Sequence, residues 1–177
     1  MPAHFESWRR TLSRHGIEFT EDRFYALAGQ PTDKIIALLG GEQGITVDPV
    51  VVAQEKEADF LDTIHLVQPI QAVGDIVRAH HGRAKLAVAS GGWRRVVTAQ
   101  LRQIGMLDLF EAIVTAEDTP RHKPEPDVFL EAARRLGVPP EHCCVYEDAD
   151  LGIEAARRAG MACVDIRRFH TPRRVTA

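Results

Sequence analysis

The chain has 177 residues, 45% of them hydrophobic, and a formal net charge of −3. That length suits one medium domain or a smaller domain with an insertion, and it can bury a substantial core. The mild charge and the lack of a long basic run argue against nucleic acid and membrane surfaces as partners. No apolar run approaches the ~18 residues of a membrane-crossing helix, and no secretory h-region stands at the amino end.

Residues 2–15 predict an amphipathic helix, with Phe5, Trp8 and Leu12 at helical spacing and His15-Gly16 as its stop. Thr20 caps a second helix running to Ala28. Gly29-Gln30-Pro31-Thr32 is a turn whose Thr32 caps a third helix, Asp33 to Leu39, ended by Gly40-Gly41. Asp48-Pro49 opens a fourth, carrying Val51, Val52, Lys56, Phe60 and Leu61. The pattern then changes to strands alternating with helices. Strands are expected at 84–89, 110–114, 143–146 and 162–166, and helices at 73–80, 93–104, 127–136 and 151–159. This alternation implies parallel β-α units. The expected organisation is a helical domain at 1–65 and an α/β domain at 66–177.

Cys143, Cys144 and Cys163 show neither a CxxC pair nor zinc spacing, and read as buried free thiols of a reducing compartment. A cytoplasmic protein, monomeric or weakly dimeric, is the expectation.

Three segments carry candidate chemistry. Ser90-Gly91-Gly92 leaves a strand and enters a helix, where backbone N–H groups favour an anion such as phosphate; taken alone it is also an ordinary strand-to-helix turn. Lys123-Pro124-Glu125-Pro126-Asp127 holds a lysine in rigid backbone, fit to neutralise a phosphate or meet a carboxylate. Glu147 and Asp148 end a short apolar strand. Adjacent carboxylates there need a cation or a proton, or serve as caps for the next helix. Asp150 reads as a first-turn helix acid. His4 and Lys56, judged alone, read as surface groups of helices.

Taken together, the three segments resemble the haloacid dehalogenase superfamily of phosphohydrolases. The motif is a serine at a strand end, then Lys-Pro-x-Pro-Asp, then Glu-Asp followed by Gly-Ile-x-Ala-Ala-x-x-Ala-Gly-Met. Within that superfamily the chain is similar to the β-phosphoglucomutase and sugar-phosphatase subgroup, most of all to its bacterial fructose-1-phosphate phosphatases. The resemblance implies a Rossmann-like parallel sheet with helices on both faces, an all-helical cap at 1–65, and Mg²⁺-dependent cleavage of a small phosphorylated metabolite. It implies that Ser90, with the N–H groups of Gly91 and Gly92, and Lys123 hold the transferring phosphoryl group. Glu147 and Asp148 would hold the metal. His4, Gly29, Gln30, Thr32 and Lys56 would face the substrate from the cap. Thr32 stands where the mutases carry an arginine for a second phosphate, which favours a phosphatase over a phosphomutase. A non-catalytic phosphate-binding protein is the third reading.

One departure is large. The family begins with a strand ending in Asp-x-Asp-Gly-Thr, whose first aspartate attacks phosphorus, and that strand is the central one of its sheet. Residues 1–177 start just after that point, as from a late start or a truncation. The expectation is a gap in the sheet with unpaired backbone groups, weak Mg²⁺ binding, and negligible turnover by this polypeptide alone.

Overall fold

Helix α1 (Pro2–Arg14) packs its apolar stripe against α4 (Pro49–Asp62), and α2 (Glu21–Ala26) and α3 (Thr32–Gln43) complete the first group of elements. These come from a computed structural model that describes residues 2–171 and Val175. Phe5, Trp8, Leu12, Ile36, Leu39 and Val52 are buried together in this group. Asp59 on α4 accepts hydrogen bonds from Arg10, Thr11 and Arg14 of α1 and so pins the two helices. Thr20 and Asp48 cap α2 and α4 as expected.

Helix α3 departs from expectation at both ends. Pro31 is the residue before its first turn, and Thr32 lies inside it. The Thr32 hydroxyl is therefore free to donate elsewhere. The helix also runs through Gly40-Gly41 to Gln43 and stops at Gly44, which takes the left-handed conformation at φ 69°. Gly40 serves a different purpose. A Cβ there would lie 2.8 Å from the Ile45 carbonyl oxygen, so the glycine lets the chain fold back over its own helix.

The second group is α5 (Gln71–His80), β1 (Ala87–Ala89), α6 (Arg94–Gln103), β2 (Ala112–Val114), α7 (Asp127–Leu136), β3 (Cys144–Glu147), α8 (Asp150–Arg158) and β4 (Ala162–Asp165). Val114, Val128, Phe129, Ala132, Ala155 and Met161 form its core. Strand β1 pairs with β2 and β3 with β4, both parallel. Among the described residues the two pairs are separate sheets, with no ladder between β1 and β3. The first two strands are shorter than expected. Their register runs only from Ala87↔Ala112 to Ala89↔Val114, with one further hydrogen bond beyond each end.

The thiols are free, but the expectation of buried ones needs correcting. Cys144 is exposed and Cys143 and Cys163 are half-buried. Strand β3 lies open on the side away from β4, and its Tyr146 is also exposed. No described helix is long and apolar enough to cross a membrane.

Candidate active site

The carboxyl ends of β1 and β3 meet at one side chain. Lys123 Nζ donates to Glu147 Oε2 at 2.6 Å and to the Ala89 carbonyl at 3.5 Å, while lying 4.8 Å from the centre of the Phe129 ring. Lys123 is buried, so this cation is held in a fixed place rather than waving in solvent. Glu147 also accepts from the N–H groups of Asp148 and Ala149 at 3.0 Å each. Burial works against the charged form of Glu147, yet the Lys123 charge and these donors hold its carboxyl below its ordinary value. Asp148 goes the other way. Burial and the neighbouring Glu147 charge push its carboxyl up.

Gly152 makes the Glu147 position possible. A Cβ on Gly152 would overlap the Glu147 carboxylate, so the first turn of α8 must be bare where the acid lies against it. Asp150, by contrast, is a first-turn acid paired at the surface with Arg167 at 2.8 Å.

Ser90 extends the β1–β2 ladder by one bond to Val114, and its hydroxyl oxygen accepts from the Gly92 N–H at 3.0 Å. The Gly92 amide thus orients Ser90. The N-terminus of α6 already holds an anion of the protein itself. The Arg94 N–H donates to both carboxylate oxygens of Glu117 at 3.0 Å. Sequence reading missed Glu117, because nothing in its spacing marks it as a cap for a helix 23 residues earlier.

The turn before α3 lies directly on this site. A Cβ on Gly91 would come 2.5 Å from the Gly29 carbonyl oxygen, and one on Gly29 would lie 3.6 Å from Lys123 Cδ. Gly29 has φ +97°, a backbone conformation that side chains disfavour. Gln30 follows it in the same half-buried turn.

Beyond the turn lies a connected row of polar side chains. Thr32 Oγ1 donates to Glu57 Oε1 at 2.7 Å, and Lys56 Nζ reaches both Glu57 oxygens at 3.3 Å. Lys56 Nζ also donates to His4 Nδ1 at 3.3 Å, leaving His4 Nε2 to meet Gln100 Oε1 at 3.4 Å. His4 stacks on Phe60 with ring centres 3.8 Å apart. Burial, then the Lys56 charge, holds its imidazole well below its ordinary value. Burial likewise lowers Lys56, against the pull of Glu57. Lys56 is therefore no surface group, being 2% exposed. Apolar neighbours on α1 and α4 enclose it, with Trp8 and Phe60 within cation–π reach. Glu57 and Gln100 were missed in the sequence because Thr32 and His4, which they meet, lie on other helices.

Two carboxylates are what this site offers a cation. Among the described residues no group of three or more metal-ligating side chains forms.

A family model of haloacid dehalogenase-like hydrolases matches residues 1–166. The chain belongs to the haloacid dehalogenase-like hydrolases. Over 167 residues it is 40% identical to the fructose-1-phosphate phosphatase YqaB of Escherichia coli, covering 94% of this chain and 88% of that one. It is 30% identical to the validoxylamine A 7'-phosphate phosphatase of Streptomyces hygroscopicus, covering 93% and 78%. Its fold matches the crystal structure of a β-phosphoglucomutase from Clostridium difficile with a TM-score of 0.80 at 24% identity, covering 92% and 76%. The haloacid dehalogenase-like α/β fold is therefore established for this chain, and it is a hydrolase of the sugar-phosphatase group of that family.

Proposed function

We propose that the chain acts as a Mg²⁺-dependent phosphatase on a small phosphorylated sugar or polyol such as fructose 1-phosphate. Residues 1–65 serve as a cap and 66–177 as the core, in a cytoplasmic monomer or weak dimer. The observation that carries this reading is the fixed Lys123 ammonium between Ala89 and Glu147, with Ser90 and Gly91 beside it. A fixed positive charge next to Ser90 at the carboxyl ends of strands supports phosphoryl binding there. The E. coli and Streptomyces relatives, both phosphatases of phosphorylated metabolites, support the same substrate class.

Glu147 and Asp148 suit Mg²⁺ by chemistry, since this ion is bound through one or two carboxylates beside water and phosphate oxygens. Bound there, Mg²⁺ would offset charge on the phosphoryl oxygens. The protein's own groups do the rest. Ser90 and the Gly91 N–H receive phosphoryl oxygens, and Lys123 neutralises them. The Gly29-Gln30 turn closes over the site and excludes water. In the family, the attacking carboxylate comes from a strand ahead of the segment that His4 matches. The residues described here supply binding and charge stabilisation, the larger share of catalysis in phosphoryl transfer.

Thr32 and Glu57 favour a phosphatase over a mutase. Thr32 is uncharged and its hydroxyl is taken by Glu57, which Lys56 already pairs, so this cap position brings no free positive charge for a second phosphate. The test is release of inorganic phosphate from fructose 1-phosphate with Mg²⁺, with and without a sugar bisphosphate. Release without the bisphosphate is expected. An absolute requirement for it would favour the mutase.

A further inference from the structure

Among the described residues two lysines are buried, Lys56 and Lys123, and Lys56 is the more loosely held. Its polar contacts, to both Glu57 oxygens and to His4 Nδ1, are all at 3.3 Å. Charge-assisted N–H···O bonds close to about 2.7–2.9 Å, and Lys123 meets Glu147 at 2.6 Å. The Trp8 and Phe60 rings, 5.1 and 5.4 Å from Lys56 Nζ, supply attraction but no acceptor oxygen. Glu57 is buried too. Its Oε1 takes the Thr32 hydroxyl at 2.7 Å, whereas among the described residues its Oε2 takes only the long Lys56 contact. An ammonium and a carboxylate oxygen thus stand side by side, each with room for one closer partner.

The pair belongs to a row that adjoins the phosphoryl cluster. Thr32 follows Gly29 by three residues, and Gly29 lies against Gly91 and Lys123. At the other end His4 meets Gln100 on α6, the helix that Ser90-Gly91-Gly92 leads into. Both ends of the row are thus anchored in segments next to Ser90 and Lys123.

Charge decides what such a pair can take. A second phosphate gains Lys56 but meets Glu57 at nearly the same range, so attraction and repulsion offset each other. A carbonyl or ether oxygen satisfies Lys56 and leaves Glu57 unmet. A hydroxyl satisfies both, accepting from the ammonium and donating to the carboxylate.

We propose that Glu57 determines specificity: with Lys56 it forms a subsite that reads a neutral hydroxyl at the non-reacting end of a sugar or polyol monophosphate. Without the Glu57 charge, the same Lys56 would draw a second phosphate. The place of the phosphoryl group is that of the phosphatase reading, on which this subsite rests.

Three ligands that differ only at one end provide the test. They are mannitol 1-phosphate, 6-deoxymannitol 1-phosphate and mannitol 1,6-bisphosphate, titrated calorimetrically into the full chain with Mg²⁺. The native protein should bind the first about tenfold more tightly than either of the others, the worth of a hydrogen bond to a charged group. Glu57→Gln keeps an acceptor for Thr32 and removes the charge. It should bind the bisphosphate about tenfold more tightly than the native protein does, and adding Lys56→Met should abolish that gain. Loss of packing does not produce a gain of affinity, so a merely structural role for Glu57 predicts the opposite. The three ligands on the native protein need no variant, so a poorly folding one leaves the comparison decisive. Inorganic phosphate separates this subsite from the phosphoryl cluster. If phosphate binds the native protein but the three mannitol ligands bind alike, or the bisphosphate binds most tightly, Glu57 has no such role and the cluster stands. If phosphate itself does not bind, the cluster falls and the subsite with it. An unchanged bisphosphate affinity in folded Glu57→Gln would also overturn the role of Glu57.

Discussion

Lys123 Nζ and Glu147 Oε2 lie 2.6 Å apart, with the lysine 6% and the acid 11% exposed. A pair this buried is costly to break from one side, because the partner is left as an uncompensated charge. Lys123→Met should destabilise the protein by about 3–5 kcal/mol. The double change Lys123→Met with Glu147→Gln should cost much less than the sum of the single changes. Denaturant melts of the four proteins test this coupling, and additivity would show that the pair is not a unit.

Gly152→Ala should force the Glu147 side chain off its seat, since the new methyl overlaps its carboxylate. The expected loss is about 1–3 kcal/mol, the usual range for overpacking. Combining it with Glu147→Ala should remove most of that loss, because the clashing group is then gone. Thermal unfolding of the two single variants and the double variant decides the matter. A loss that persists in the double variant would place the strain elsewhere in α8.

His4 gives the fold a pH dependence near neutrality. Its folded-state pKa is well below the ordinary 6.5, so below that pH the unfolded chain takes a proton that the folded chain refuses. Stability should therefore hold above pH 6.5 and fall as the pH drops beneath it, by at most about 1.4 kcal/mol per pH unit. In His4→Gln that slope should flatten between pH 6.5 and 5. An unchanged slope would assign the effect to another histidine.

Asp59 acts at lower pH. Burial raises its carboxyl, but hydrogen bonds from Arg10, Thr11 and Arg14 outweigh that and bring it to about 2, from an ordinary 3.8. Its contribution is fully present above pH ~4 and is lost as the pH falls towards ~2. Asp59→Asn should cost about 1–3 kcal/mol at pH 7, from charge-assisted hydrogen bonds joining α1 to α4. The cost should shrink on acidification. Urea melts at pH 7 and pH 3 provide the comparison.

Much of this fold was legible in local patterns. Helix α7 was expected at 127–136 and runs over those residues, because Pro126 and Gly137 punctuate a regular apolar stripe. The α3 boundaries were misread for a reason that local sequence hides. Gly40-Gly41 looks like a stop, but the left-handed residue is Gly44, and Thr32 is taken by Glu57 on another helix. Ser90, Lys123 and Glu147 each had a bland local reading. Their order along the chain picked them out together, and the structure brings their backbone or side chains to one place. Glu57, Gln100 and Glu117 could not be found that way, since each acts through a residue at least 23 positions away or through a buried neighbour. The exposure of Cys144 and Tyr146 was likewise hidden. An apolar strand reads as buried, and only the tertiary arrangement shows that β3 has one free side.

The most direct test is steady-state phosphate release from fructose 1-phosphate with Mg²⁺, on a polypeptide carrying an acidic first strand of the family type ahead of His4. Release should be robust and Mg²⁺-dependent, and should fall by about 10²–10³-fold in Ser90→Ala and further in Lys123→Met. Release that persists unchanged in Lys123→Met would contradict the assignment of the Lys123, Ser90 and Glu147 cluster as the phosphoryl-transfer site.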